Sequence, residues 1–211
     1  MENSGQNTLL QAGSPTLERK WLNKDKASPY INENELCWFA MRDLKRPNAA
    51  DPAYKMLTDI GFEVFTPLKD KVVIRHGERT VIKIPVIFDL LFVHSKKVEL
   101  DKIEEKTTTL QYRYFKGGSY RQPIIVPEYD MNRFINAVRS TESPKFYLPG
   151  EITPDMVGKT VLIHGGPLNG YEVPLRKMQG SKTKRIFVDL PLFVTTEVEL
   201  KTFDYLESVK K

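Results

Sequence analysis

The sequence predicts an α+β fold in two parts: a mixed antiparallel sheet with two main helices, then a small all-β unit. Up to residue 139, short apolar strand patterns alternate with two helical patterns. A stretch with three prolines follows, from Ser140 to Met156. Beyond it, strand-like segments are separated by turns rich in glycine and proline. These observations place the helices in the first part alone.

Residues 1–34 are predicted to be a flexible arm. They mix Asn, Ser, Gly, Gln, Lys and Glu with few apolar side chains, so they cannot bury enough surface to offset their chain entropy. The exceptions are Leu9, Leu10, Leu17, Trp21 and Leu22, and the alternative is a short helix that orders on a partner.

Residues 35–139 are predicted to form the α+β unit. Its first strand covers Leu36–Asp43, and its first helix has Asp51 as N-cap, Pro52 at the first helical position and Gly61 at its end. The predicted elements that follow are a strand over Phe62–Leu68, a hairpin around His76, Gly77 and Glu78, a strand over Ile87–Ser95, a strand ending at Gly117 and Gly118, and a helix opened by Pro127 with an apolar stripe of Met131, Phe134, Ile135 and Val138.

Residues 140–156 are predicted to be a semi-flexible linker, because prolines and polar residues space it. Residues 157–211 then form the all-β unit. The strand segments TVLIH, VPLRKM, RIFVDL and FVTTEVEL suit a five-stranded barrel. Pro174 has no amide hydrogen to donate, so it is expected on an edge or at a bulge.

Composition narrows the class of protein. The chain has 211 residues, a net charge of +5 and a pI near 9.1, which favours contact with nucleic acid or an acidic complex. No apolar run approaches the roughly 20 residues that span a bilayer, so a cytoplasmic protein without a membrane partner is expected. The single cysteine, Cys37, is expected to be a small buried apolar group and not a nucleophile.

Catalysis is not predicted. The triplet Gly158-Lys159-Thr160 resembles the end of a P-loop, but Thr153 stands where such a loop needs glycine, and a strand follows instead of a helix. The three histidines lie far apart in the sequence, without the spacing of a metal site. We therefore expect no catalytic residues, no metal site and no cofactor.

The stretch GKTVLIHGGPLNGY, Gly158 to Tyr171, has the pattern of a KOW motif. An apolar-alternating strand runs into a turn built from Gly165, Gly166, Pro167 and Gly170, residues that tolerate or fix unusual backbone angles. KOW modules are small β-barrels of elongation factors and ribosomal proteins. The alternative is that any small antiparallel barrel uses a glycine-proline turn at this point.

Five segments occur in the order found in NusG proteins, and the chain resembles a NusG family transcription factor from about residue 36 to its end. They are WFAMR (38–42), EVFTPL (63–68), LLFV (90–93), PIIVPEYDMNRFI (123–135) and the KOW motif. The chain departs from the family where Ile87, Phe88, Asp89 and Leu90 replace the common Phe-Pro-Gly-Tyr, and its hairpin is short. These departures and the arm are similar to the UpxY-type antiterminators of capsular polysaccharide operons.

The resemblance implies an N-terminal NGN-like domain that docks on the clamp helices of RNA polymerase through an apolar patch. The residues that match that patch are Ile87, Leu90, Phe92 and Phe115, with Arg42 near its rim. Large apolar groups and arginine are the usual anchors of protein interfaces. The alternative is that these four apolar residues are ordinary core residues.

Basic residues suggest a second surface, facing upstream DNA or the non-template strand. They are Lys45, Arg46, Lys71, Arg75 and Arg79. The alternative is a solvated hairpin.

The resemblance further implies that the KOW domain meets a second partner, a ribosomal protein or Rho, or a leader RNA element. The matching residues are Gly158, Gly165, Gly166, Pro167, Gly170, Leu192 and Phe193. The competing function is that of a KOW-containing, ribosome-associated protein that binds RNA. Such a protein is expected to be more basic and to lack the first domain.

Overall fold

The computed structural model describes residues 32–46, 49–114, 122–142, 144–178, 183–200 and 205–209, apart from the side chains of Arg75 and Tyr205. Residues 1–31 of the predicted arm, and Phe115, lie outside this description. Contacts join Ile31–Lys211 into one compact unit. Within these residues, three helices and antiparallel sheets give a mixed, sheet-rich fold that is compatible with the predicted α+β class.

The helices of the described residues are α1 (Ala53–Asp59), α2 (Lys97–Lys106) and α3 (Glu128–Arg139). The strands are β1 (Leu36–Asp43), β2 (Glu63–Phe65), β3 (Leu68–Arg75), β4 (Glu78–Pro85), β5 (Leu90–Lys96), β6 (Leu110–Tyr112), β7 (Ile125–Val126), β8 (Lys145–Tyr147), β9 (Val157–His164), β10 (Glu172–Arg176), β11 (Arg185–Leu190), β12 (Val194–Glu199) and β13 (Tyr205–Ser208). Two short 3₁₀ helices cover Pro154–Met156 and Gly166–Leu168.

The N-terminal sheet has the strand order β2-β5-β1-β6, and β7 also pairs with β1. Strand β1 is central: it pairs antiparallel with β5 from Leu36↔Lys96 to Arg42↔Leu90. The run of side chains from Trp38 to Met41 is buried, because this strand is covered on both faces. The strand predicted over Leu36–Asp43 is confirmed.

Helix α1 begins later than predicted and uses a different cap. Pro52 occupies the N-cap position and no N-cap side chain bonds the helix, so Asp51 is not the cap. Instead the buried Asp43, at the end of β1, accepts the amide hydrogen of Ala53 at 2.6 Å and that of Lys45 at 2.9 Å. A carboxylate at the end of the preceding strand therefore accepts hydrogen bonds at the helix start.

Replacing Asp43 by alanine should lower the free energy of unfolding by about 1–3 kcal/mol, since two amide donors lose their charged acceptor. Urea unfolding followed by circular dichroism measures this loss. Asp51→Ala is the matched control and should change stability by less than about 0.5 kcal/mol. If the two variants lose equal stability, Asp43 has no special role at the helix start.

Helix α2 was not predicted, which raises the helix number of the first unit from two to three. Its sequence, KVELDKIEEK, carries good helix formers but only Leu100 is buried. Helix α3 was predicted correctly: Met131, Phe134 and Ile135 of the predicted stripe are buried.

Strands β3 and β4 form a separate two-stranded sheet, here called the ribbon. The predicted hairpin is confirmed and is longer than its predicted arms, with pairing from Leu68↔Pro85 to Arg75↔Glu78. Its two-residue turn has positive φ at His76 (52°) and Gly77 (83°), the backbone that suits the twist of tight hairpins.

The C-terminal sheet has six strands in the order β13-β9-β10-β11-β12-β8. Its first strand, β8, lies within the stretch predicted as linker and pairs with β12. The register between β9 and β10 shifts between Pro174 and Arg176, in line with the expectation that Pro174 lies on an edge or at a bulge. The closed five-stranded barrel and the independence of the two domains stay predictions.

Candidate interaction surface

Residues from the two predicted protein-binding surfaces contact each other. The ring of Phe92, in β5, meets the ring of Phe193, which precedes β12, edge to face with centroids 5.1 Å apart. Phe92 is fully buried and Phe193 is 7% exposed. The Phe193 ring thus lies against one residue, Phe92, of the patch that the resemblance assigns to polymerase.

Helix α3 makes further contacts with the C-terminal part of the chain. Arg133 donates a hydrogen bond from Nη2 to the backbone oxygen of Asp189 at 3.0 Å. The rings of Tyr129 and Tyr171 meet at 5.5 Å in a T-shaped arrangement. Burial raises the pKa of Asp189, against the lowering effect of a hydrogen bond from Thr195. The contact thus combines two aromatic pairs with one charge-assisted hydrogen bond.

The other predicted polymerase contacts lie in different environments. Leu90 is 2% exposed, so a charge at that position is expected to unfold the N-terminal sheet instead of testing an interface. Ile87 is partly exposed, and Arg42 is exposed. Phe115 lies outside the described residues. Only Arg42 and Ile87 are therefore open to a partner here.

The basic residues do not form one stripe. In the ribbon, Arg79 pairs with Ile74, and Lys71 pairs with Ile82. Ile74 is three residues beyond Lys71 on the same strand, so the side chains of Lys71 and Arg79 are on opposite faces. Both are exposed, as is Arg46, and the side chain of Arg75 lies outside the description. Lys45 is held by the backbone oxygen of Asp51 at 2.6 Å. These positions agree with a solvated ribbon as well as with a nucleic-acid contact.

One face of the ribbon is aliphatic. Val72, Ile74 and Val81 are 62%, 74% and 61% exposed, and Val72 lies directly opposite Val81. On the same face Lys83 and Asp70 form an ion pair at 3.0 Å. This exposed face was not predicted from the sequence.

The glycine turn after β9 has the backbone that its residues favour. Gly165, Gly166 and Gly170 have φ of 94°, 64° and 80°, and Pro167 lies in the 3₁₀ helix. The amide of Gly165 donates to Asn169 Oδ1 at 2.8 Å. At the other end of the strand, a Cβ on Gly158 would lie 3.0 Å from the Leu175 oxygen. The positive φ values favour glycine in the turn, and a side chain at position 158 would need its neighbours to shift by a few tenths of an ångström.

A buried charge cluster, which the sequence analysis also missed, joins four strands of the C-terminal sheet. The Glu197 side chain is 2% exposed and accepts hydrogen bonds from Tyr147 (2.6 Å), Arg185 (2.9 Å) and Arg176. Burial raises the pKa of Glu197, but these three donors outweigh it and the net shift is downward. Through these hydrogen bonds the cluster links β8, β10 and β11 to β12.

Within the described ranges no group of three or more His, Cys, Asp or Glu side chains could hold a metal ion. Burial raises the pKa of the Cys37 thiol, with a further contribution from Glu35. Among the helices of that part of the chain, none has the length and apolar character needed to cross a membrane.

A search of protein-family models and of curated proteins finds no match to this chain.

Proposed function

We propose that this protein is a NusG-like regulator of transcription elongation that acts by antitermination. Its N-terminal domain binds the clamp helices of RNA polymerase, and its C-terminal KOW domain recruits a second partner. We further propose that it serves surface polysaccharide genes, as its similarity to UpxY-type proteins suggests. The role is one of binding and not of catalysis.

The observation that carries this proposal is the combination of the five ordered segments with the arrangement of the two sheets. An antiparallel sheet with helices is followed by an antiparallel sheet whose strand β9 runs into the glycine turn. The Phe92–Phe193 contact adds support, since the resemblance assigns each of these residues to a binding surface. Large aromatic side chains are typical anchors of such surfaces.

Retention on purified core RNA polymerase tests the proposal. We expect the full chain to bind, and the isolated coiled coil of the clamp helices to compete for it. In a transcription assay, the bound protein should raise read-through of a terminator. Binding to ribosomal RNA, with no retention on polymerase, would instead favour the ribosome-associated function.

A further inference from the structure

The aliphatic face of the ribbon is apolar at its centre. Val72 and Val81 lie opposite each other across the two strands, and both are exposed. The next row towards the turn pairs Ile74, the most exposed of the three aliphatic residues, with Arg79. A two-stranded ribbon is marginally stable in water unless one of its faces packs on another element. This face therefore lacks the cover that a stable ribbon needs.

Charged side chains flank the apolar centre on both sides. Towards the base of the ribbon, Asp70 Oδ1 pairs with Lys83 Nζ at 3.0 Å, and no described residue donates to Asp70 Oδ2. Towards the turn, Arg79 is exposed and has no ion-pair partner among the described residues. A carboxylate can accept from two cations, one at each oxygen. The face thus carries an acceptor at one end and a donor at the other, which suits an inverted copy of itself.

An open cleft of about 320 Å³ lies at the base of the same face. Leu68 and Lys83 of the ribbon form part of its lining, together with residues of β2, α1 and the end of α3. Its walls combine aliphatic groups, such as those of Val64 and Val138, with hydroxyl groups such as that of Thr58. The aliphatic face therefore leads into a cleft with room for a short turn.

We infer that two copies of this chain associate through their ribbons, related by a two-fold axis that crosses the strands at Val72 and Val81. The ribbons then lie face to face and antiparallel, and each copy presents the same surface to the other, as a closed two-fold interface requires. The valines of both copies meet at the centre. Arg79 of each copy lies over the row of the other copy that holds Asp70 and Lys83, where it donates to the open Asp70 oxygen.

The length of the ribbon places the turn of each copy at the cleft of the other. His76, in the turn, is four residues beyond Val72, and Leu68, at the cleft, is four residues before it. At about 3.4 Å per residue, both distances are roughly 14 Å. An inverted ribbon centred on Val72 therefore ends over Leu68, where the cleft begins.

The size of this surface sets the expected affinity. A face two strands wide and eight residues long has a footprint of roughly 10 Å by 27 Å, less than the roughly 800 Å² per partner of a standard interface. We therefore expect reversible association with a Kd of about 10–100 µM. This inference goes beyond the proposed function and does not depend on it, because self-association is measured without polymerase.

Sedimentation velocity of the full chain, from about 1 to 300 µM, should show a shift from monomer to dimer. Val81→Asp should weaken the dimer at least about thirty-fold, because it places two carboxylates together at the apolar centre. Thr80→Asp is the matched control and should dimerise as the wild type does. Thr80 is the adjacent residue, is exposed and lies on the other face of the ribbon. Thermal melts of each variant establish that the fold is kept.

A charge exchange tests the antiparallel orientation. Arg79→Asp and Asp70→Arg should each weaken the dimer about ten-fold, and the two changes in one chain should restore it to within about three-fold of the wild type. Thr58→Arg, which narrows the cleft, should weaken the dimer about ten-fold if the turn of the other copy enters there. Failure of the exchange to restore the dimer, or a Thr58→Arg variant that dimerises normally, would overturn this arrangement.

The remaining outcomes separate this inference from the proposed function. A wild type that stays monomeric over the whole range overturns the inference and leaves the proposed function standing. Equal losses for Val81→Asp and Thr80→Asp would also overturn it, since the dimer would not use the aliphatic face. If the wild type is monomeric and Val81→Asp weakens binding to purified core polymerase, polymerase and not a second copy covers this face. A dimer that responds as expected, without binding to polymerase, removes only the proposed function.

Discussion

Replacing Glu197 by alanine is expected to lower the free energy of unfolding by about 3–5 kcal/mol, the usual cost of removing one partner from a buried charge cluster. Arg176 and Arg185 would keep their charges, and their side chains are only 25% and 26% exposed. Tyr147 would lose its acceptor, which weakens the attachment of β8 to the sheet. Urea unfolding followed by far-ultraviolet circular dichroism measures the change.

Glu199→Ala is the matched control. Glu199 pairs with the same Arg185 at 3.2 Å but is 54% exposed, so its loss should cost no more than about 1 kcal/mol. Equal losses in the two variants would show that burial of Glu197 does not determine the contribution of the cluster.

The pH dependence of stability provides an independent check on Glu197. Its pKa is lower in the folded protein than its ordinary value, so the stabilisation is fully present above the unfolded-state pKa. It is lost as the pH falls through the folded-state pKa. Glu197→Gln should remove this part of the pH dependence, and the stability of that variant should change less than that of the wild type on acidification.

The sequence was sufficient where one local signal determines an element. The apolar, strand-like run LCWFAMRD predicts β1, the stripe from Met131 to Ile135 predicts α3, and the absent amide hydrogen of Pro174 predicts an edge position or a bulge, where the register does shift. Helix α2 has no capping side chain and only one buried residue, so its pattern differs little from that of a solvated charged segment. Its formation after β5 depends on tertiary packing, which no local sequence pattern encodes.

The sites were harder to predict, because their members come together only through strand pairing. Arg42 and Asp89 are 47 residues apart, and the antiparallel register of β1 with β5 brings them within 2.9 Å. Glu197 meets donors from three other strands. Family resemblance supplied Phe92 and Phe193 separately, but their mutual contact depends on how the two sheets pack.

On the proposed function, replacing Phe193 by aspartate, with thermal melts confirming that the variant stays folded, is expected to uncover Phe92 and raise the affinity for RNA polymerase ten- to hundred-fold. Burial of an aromatic side chain contributes about 1.5–3 kcal/mol, and an unpaired carboxylate against the Phe92 ring reverses that gain. If only a small fraction of the protein is in the open, binding-competent state, the apparent affinity is reduced in proportion to that fraction. Breaking the Phe92–Phe193 contact raises the fraction and therefore the affinity. Equilibrium binding to purified core polymerase measures the change.

Leu192→Asp is the matched control for this variant, since Leu192 is the adjacent residue and is 45% exposed. It should bind polymerase as the wild type does. Arg133→Ala removes a second contact with the C-terminal sheet, the hydrogen bond from helix α3 to the Asp189 oxygen, without changing a residue of that sheet. If the Phe193 contact limits access to Phe92, the affinity should rise for Phe193→Asp and Arg133→Ala but not for Leu192→Asp. Equal affinities in all three variants would mean that the Phe92–Phe193 contact does not limit access to polymerase.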